Sequence, residues 1–122
     1  MFCALEGVVR LIFRHLSGSR ATEVDIVPLG AHRELILGRA PSAAIRFAET
    51  DTAVGRHHAR IVPRDDGRVG FKIMDVGSRN GTFLNGDRIA GVVDLCPGDI
   101  VQLGDRGPQI EIAFEVRAGP RW

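Results

Sequence analysis

Apolar and polar residues alternate along most of this chain in short runs, and Gly, Pro or Asn closes nearly every run. A period of two puts successive side chains on opposite faces of a strand. In Val8–Leu16, Val9, Leu11 and Phe13 alternate with Val8, Arg10, Ile12 and Arg14, which predicts a strand with one wetter face. An amphipathic helix over residues 2–16 is the rival, because Leu5, Val9, Ile12 and Leu16 also fit a helical stripe. The density of Val and Ile and the break at Ser17-Gly18-Ser19 favour the strand. Glu23–Leu29 sets Val24, Ile26 and Pro28 on one face, and the proline predicts an edge strand or a strand end. Shorter strands are predicted at Glu34–Leu37, Ala44–Phe47, His58–Val62, Val69–Val76, Thr82–Leu84, Asp87–Ile89 and Ile100–Leu103, and Gln109–Val116 alternates strictly.

Between these runs, Ala48–Arg56 reads as an irregular polar loop, Pro63–Gly67 as a hairpin turn, and Asp94–Asp99 as a turn. Asn80-Gly81 and Asn85-Gly86 are hairpin signals, since both residue types tolerate positive φ, and together they predict two successive chain reversals. About ten or eleven short strands with frequent turn signals and no convincing helix predict an all-β sandwich or barrel. Residues 1–117 read as a single domain and residues 118–122 as the start of a linker.

Composition narrows the function classes. The chain has 122 residues, enough for one domain with an ordinary core, and a formal net charge of +1, which argues against nucleic acid as a partner. Lys72 stands alone among 16 basic residues, the rest being Arg. Genomic base composition and a use for the planar guanidinium fork both explain that bias, and composition does not separate them. Cys3 and Cys96 match neither a zinc pattern nor a disulfide framework and read as free thiols in a reducing, cytoplasmic compartment. The N-terminal stretch is broken by Glu6, Arg10, Arg14 and His15, so it predicts no membrane span and no membrane contact.

One ordered series of short motifs carries the functional signal: Gly38-Arg39, then Gly55-Arg56-His57-His58-Ala59, then Asp75-Val76-Gly77-Ser78-Arg79-Asn80-Gly81-Thr82-Phe83-Leu84-Asn85-Gly86, then Leu95, Gly98-Asp99 and Leu103-Gly104. Each piece is weak alone. The string in this order, from about Glu34 to Phe114, resembles the forkhead-associated (FHA) domain. The resemblance implies an eleven-stranded β-sandwich that binds phosphothreonine peptides through loops at one end. It makes this chain a phosphopeptide-binding, non-enzymatic module without cofactor, whose partner is a Thr-phosphorylated protein, the product of a Ser/Thr kinase.

The resemblance also assigns roles. Arg39 becomes the main phosphate ligand, a task suited to a charge-assisted, two-pronged contact with a group carrying about −1.5 to −2 charges. Arg56 supports the phosphate, Arg79 contacts it from the next loop, and Asn80 bonds the peptide backbone, although turn chemistry alone also explains Asn before Gly. Gly38, His58, Ser78 and Gly81 serve as structural support of the loops. Gly55 departs from the family, which usually has Ser there with a hydroxyl on the phosphate. Its backbone N–H, or Arg56, is left as the substitute. An Arg39 far from Arg56 and Asn80, or locked in an internal carboxylate pair that cannot open, would end this reading.

Two alternatives stand beside it. An FHA-like domain could bind proteins without phosphate or associate with itself, and the missing hydroxyl at Gly55 motivates that reading. A small enzyme would draw on Cys96, His57 or His58 and Asp99, but no nucleophile, paired-carboxylate or P-loop motif accompanies them. Adjacent histidines on a strand face opposite ways, so His57 and His58 make a poor metal pair, and no metal site is predicted.

Overall fold

The computed structural model describes residues 8–28, 34–66 and 70–116. Cys3, the chain end after Val116, and the predicted strand or turn residues Leu29, Gly67 and Val69 lie outside them. Among the described residues there are eleven strands and no helix. They are β1 (Val8–His15), β2 (Val24–Pro28), β3 (Leu35–Gly38), β4 (Ile45–Arg46), β5 (Ala59–Pro63), β6 (Phe71–Asp75), β7 (Thr82–Leu84), β8 (Asp87–Arg88), β9 (Val92–Leu95), β10 (Asp99–Leu103) and β11 (Gln109–Val116). One sheet runs β2-β1-β11-β10-β7-β8 and the other β4-β3-β5-β6-β9. The fold is an all-β sandwich, and the helical alternative for the N-terminal run is excluded over β1.

The period-two pattern decides what lies between the sheets. Leu11 and Phe13 of β1, Ile110 and Ile112 of β11, and Val101 and Leu103 of β10 are buried from one side. Leu35 and Leu37 of β3, Ala59 and Ile61 of β5, and Phe71 and Ile73 of β6 are buried from the other. Phe71 meets Phe114 of the opposite sheet edge-on, with centroids 5.1 Å apart. Pro28 ends β2, and β2 is an edge strand, as its missing N–H requires.

Two turn predictions need correction. Val92–Leu95 is a strand, paired with β6, where the sequence suggested that the turn began at Asp94. The exposed Val92 and Asp94 frame a half-buried Val93, so the alternation there is too short to stand out. The second correction concerns Asn80-Gly81. Asn85 (φ 50) and Gly86 (φ 92) form the tight reversal between β7 and β8. Asn80-Gly81 joins no hairpin: β6 pairs with β5 and β9, whereas β7 pairs with β10 and β8. At this point the chain crosses from one sheet to the other. Gly81 still needs its positive φ of 86, but it uses it to turn across the sandwich.

That crossing sets the position of the loops. Leu37 pairs with Ala59, Ala59 with Asp75, and Leu103 with Thr82. The β3–β4, β4–β5, β6–β7 and β10–β11 connections therefore all emerge at the same end. No helix among the described residues is long and apolar enough to cross a membrane.

Candidate functional site

Gly38 ends β3 against the backbone of the β4–β5 loop. A Cβ on Gly38 would lie 2.0 Å from the Arg56 carbonyl oxygen and 2.9 Å from that of Gly55. The absence of a side chain lets two backbone bonds close there: Arg39 N–H donates to Gly55 O and Ala40 N–H to Arg56 O, both at 3.0 Å. This contact fixes where the Arg39 side chain leaves the sheet. Its Nε–H donates to the Val54 carbonyl at 2.5 Å, and one terminal nitrogen donates to Glu49 Oε1 at 3.0 Å. The Arg39 side chain is 23% exposed and that of Glu49 is 58% exposed. A pair this open to water contributes about 0–1 kcal/mol and can part, so Arg39 is not locked away.

Asn80 reaches the same loop from the other side. Its Nδ2–H donates to the Ala53 carbonyl at 3.0 Å. Arg39 and Asn80 thus hold the carbonyls of two consecutive residues, Ala53 and Val54, which brings side chains from the β3–β4 and β6–β7 connections to one spot. Val54 is buried and anchors the loop between them. Arg56 is 55% exposed and lies 3.6 Å from the second Glu49 oxygen, so Glu49 bridges Arg39 and Arg56. Arg79 is exposed in the neighbouring turn.

The support residues form two connected hydrogen-bond systems. His58 is fully buried; Gly55 N–H donates to its Nδ1 at 2.9 Å, and its Nε2–H donates to the Gly81 carbonyl at 2.7 Å. One ring nitrogen accepts and the other donates, which requires the neutral tautomer. Burial pushes the His58 pKa below its ordinary value, outweighing the Gly81 carbonyl and the Asp75 charge, which favour the cation. The Gly81 carbonyl also accepts from Gly104 N–H at 2.8 Å, so it ties His58 to the end of β10. In the second system, Asp75 accepts from Ser78 N–H (2.7 Å), the Ser78 hydroxyl (2.5 Å) and the Thr82 hydroxyl (2.7 Å). The Ser78 oxygen in turn accepts from Gly81 N–H at 2.9 Å. Burial raises the Asp75 pKa, but the Ser78 and Thr82 hydrogen bonds outweigh it and hold the carboxyl below its ordinary range.

Of the two substitutes left open at Gly55, the structure bears on the first. The Gly55 backbone N–H is not presented to a ligand, because it is spent on His58 Nδ1. The Cys96, histidine and Asp99 combination is also dispersed. Cys96 is an exposed free thiol at the β9–β10 turn, where its N–H donates to Asp99. That turn lies beyond Leu95, which pairs with Phe71 at the start of β6, whereas His58 directly precedes Ala59, which pairs with Asp75 at the end of β6. His57 is exposed and His58 buried, so they do not face one metal.

The family model for the FHA domain matches residues 35–104, more than half of the chain. The chain belongs to the FHA-domain family. The oxoglutarate dehydrogenase inhibitor of Corynebacterium efficiens is 33% identical over 102 residues, covering 72% of this chain and 70% of that protein. Among solved structures, the FHA domain of a hypothetical protein from Arabidopsis thaliana superposes with a TM-score of 0.72 at 26% identity, covering 93% of this chain and 91% of that one. A structure from work on phosphothreonine-dependent FHA domain interactions superposes with a TM-score of 0.66 at 24% identity, covering 92% and 99%, and shares the fold.

Within this FHA domain the structure adds residues that sequence reading passed over. Glu49, Ala53 and Val54 lie in a stretch read only as a loop. An apolar Val54 amid polar neighbours was a legible sign that the loop packs inward. Ala53 contributes a backbone carbonyl, which no side-chain pattern reveals. Glu49 carries no motif. A groove of about 300 Å³ runs beside Ala53, lined by Ser17, Thr50, Thr52, Arg106 and Pro108 among others.

Proposed function

We propose that this FHA domain is a non-enzymatic interaction module that binds phosphothreonine in partner proteins at the loop end of its sandwich. Such partners are products of a Ser/Thr kinase. The observation that carries the reading is the pair of side chains, Arg39 and Asn80, anchored on the adjacent Val54 and Ala53 carbonyls. Arg39 keeps terminal guanidinium nitrogens at a solvent-open ion pair, and Arg56 shares the same carboxylate. A dianionic phosphate entering there exchanges one weak carboxylate contact for charge-assisted bonds to both arginines, with Arg79 added from the next turn. Asn80 stands beside that position to meet the peptide backbone. The groove at Ala53 gives the residues flanking the phosphothreonine a surface to follow. The phosphothreonine-dependent interactions described for a structural relative support the same assignment.

Titration of a fluorescent phosphothreonine peptide library by anisotropy tests it. Phosphorylated peptides bind and their unphosphorylated forms do not, and Arg39→Ala removes the difference while leaving the melting temperature close to wild type. An Arg39→Ala protein that keeps phosphate dependence removes Arg39 from the site. A second reading, phosphate-independent association, rests on Gly55: no hydroxyl is present and its N–H is committed to His58. It predicts no phosphate-dependent binder in the library.

A further inference from the structure

Glu49 occupies the place that an incoming anion must take. Its two carboxylate oxygens lie 3.0 Å from Arg39 and 3.6 Å from Arg56, so one side chain neutralises both guanidiniums in the free protein. The geometry is that of a carboxylate standing in for the guest. Arg46 of β4 lies beside them, with its Nε–H directed at the Arg39 carbonyl at 3.4 Å.

Building on the phosphothreonine reading above, we infer that Glu49 is a tethered internal competitor for the phosphate site, which lowers the affinity of every anionic guest by the same factor. Any guest must displace the Glu49 carboxylate. For a glutamate or aspartate side chain that exchange replaces one carboxylate by another of equal charge, and the resident one is already tethered in place. Nothing is gained electrostatically, and the guest loses translational freedom in the exchange. A phosphate brings about −1.5 to −2 charges and three acceptor oxygens, so it gains where the carboxylate does not. Glu49 thus sets the threshold that an anionic guest must clear, while the preference for phosphate over carboxylate comes from the phosphate's own extra charge, because the displacement cost is common to both.

The test uses the full chain and three versions of one binding peptide: phosphothreonine, glutamate in its place, and unmodified threonine. Glu49→Gln keeps the side chain's size and removes its charge. Asp87→Asn, an exposed change of the same charge on β8 beyond the β7–β8 turn, controls for net charge. Glu49→Gln is expected to tighten the phosphothreonine peptide by about twofold to fivefold, as removal of an exposed pair implies. It is also expected to tighten the glutamate peptide by the same factor, with the ratio between the two unchanged, while Asp87→Asn changes neither. A phosphothreonine affinity unchanged on Glu49→Gln, or an equal effect from Asp87→Asn, overturns the inference and leaves phosphothreonine binding standing. Failure of every protein to distinguish phosphorylated from unmodified peptide overturns both.

Discussion

Restoring a hydroxyl at Gly55 gives the sharpest test of how this site is built. Gly55 has an ordinary backbone conformation, and a Cβ there would find its nearest neighbour, His58 Nδ1, at 3.7 Å, with the His58 Cα at 3.9 Å. Those are van der Waals distances, so Gly55→Ser fits without moving the loop. The backbone bonds of Gly55, N–H to His58 and carbonyl from Arg39, do not involve the new atoms and stay in place. The added hydroxyl sits at the residue directly after the Val54 carbonyl that anchors Arg39. A hydrogen bond to a charged group contributes about 1.5–3 kcal/mol, and about 1.4 kcal/mol is tenfold in affinity. Phosphothreonine-peptide affinity should therefore rise by about tenfold or more, with no gain for the unphosphorylated peptide. Replacing glycine in a compatible conformation should also raise stability by about 0.4–1 kcal/mol through the unfolded chain. Calorimetric titration and a thermal melt of the same samples read both quantities. A Gly55→Ser protein with an undisturbed melt and an affinity within twofold of wild type would show that position 55 does not face the phosphate.

Other outcomes follow from the same contacts. Gly38→Ala forces a methyl group to within 2.0 Å of the Arg56 carbonyl, and overpacking of this kind costs about 1–3 kcal/mol or more, so a melting point lowered by about 5 °C or more should accompany loss of phosphopeptide binding. A Gly38→Ala melt equal to wild type would contradict the close approach of β3 to the loop. His58 stays neutral in the fold because its pKa lies below the ordinary value of 6.5. As pH falls through about 6.5 the unfolded chain takes up a proton that the native ring refuses, and stability drops by up to about 1.4 kcal/mol per pH unit until the folded pKa is reached. Urea midpoints across pH 7.5 to 5, together with ring nitrogen shifts that report the tautomer, check this; a His58 ring that titrates at its ordinary value with Gly55 N–H still bonded would refute it.

Much of the fold was written in the local pattern. Alternation with a period of two is a property of each strand alone, so Leu11 and Phe13, Leu35 and Leu37, or Ile110 and Ile112 announced which faces would be buried. Pro28 marked an edge because a missing N–H is also a local fact. The motif series likewise named Arg39, Arg56, Arg79 and Asn80 through its resemblance to the FHA domain, and all four lie on the connections that follow β3, β4 and β6. What no local pattern holds is the partner of each turn. Asn80-Gly81 looks like Asn85-Gly86 in sequence, yet one crosses between sheets and the other closes a hairpin, because strand pairing is settled by distant residues. The same holds for Gly38, whose lack of a side chain matters only because the Arg56 carbonyl arrives beside it from elsewhere in the chain. It holds for the Gly55 N–H, committed to His58 by the fold of the loop, and for Glu49, an unremarkable acidic residue until packing set it between two arginines. Sequence specified the strands and the chemistry at their ends; the tertiary structure alone decided which of those ends meet, because contacts between residues far apart in the chain leave no periodic trace in it.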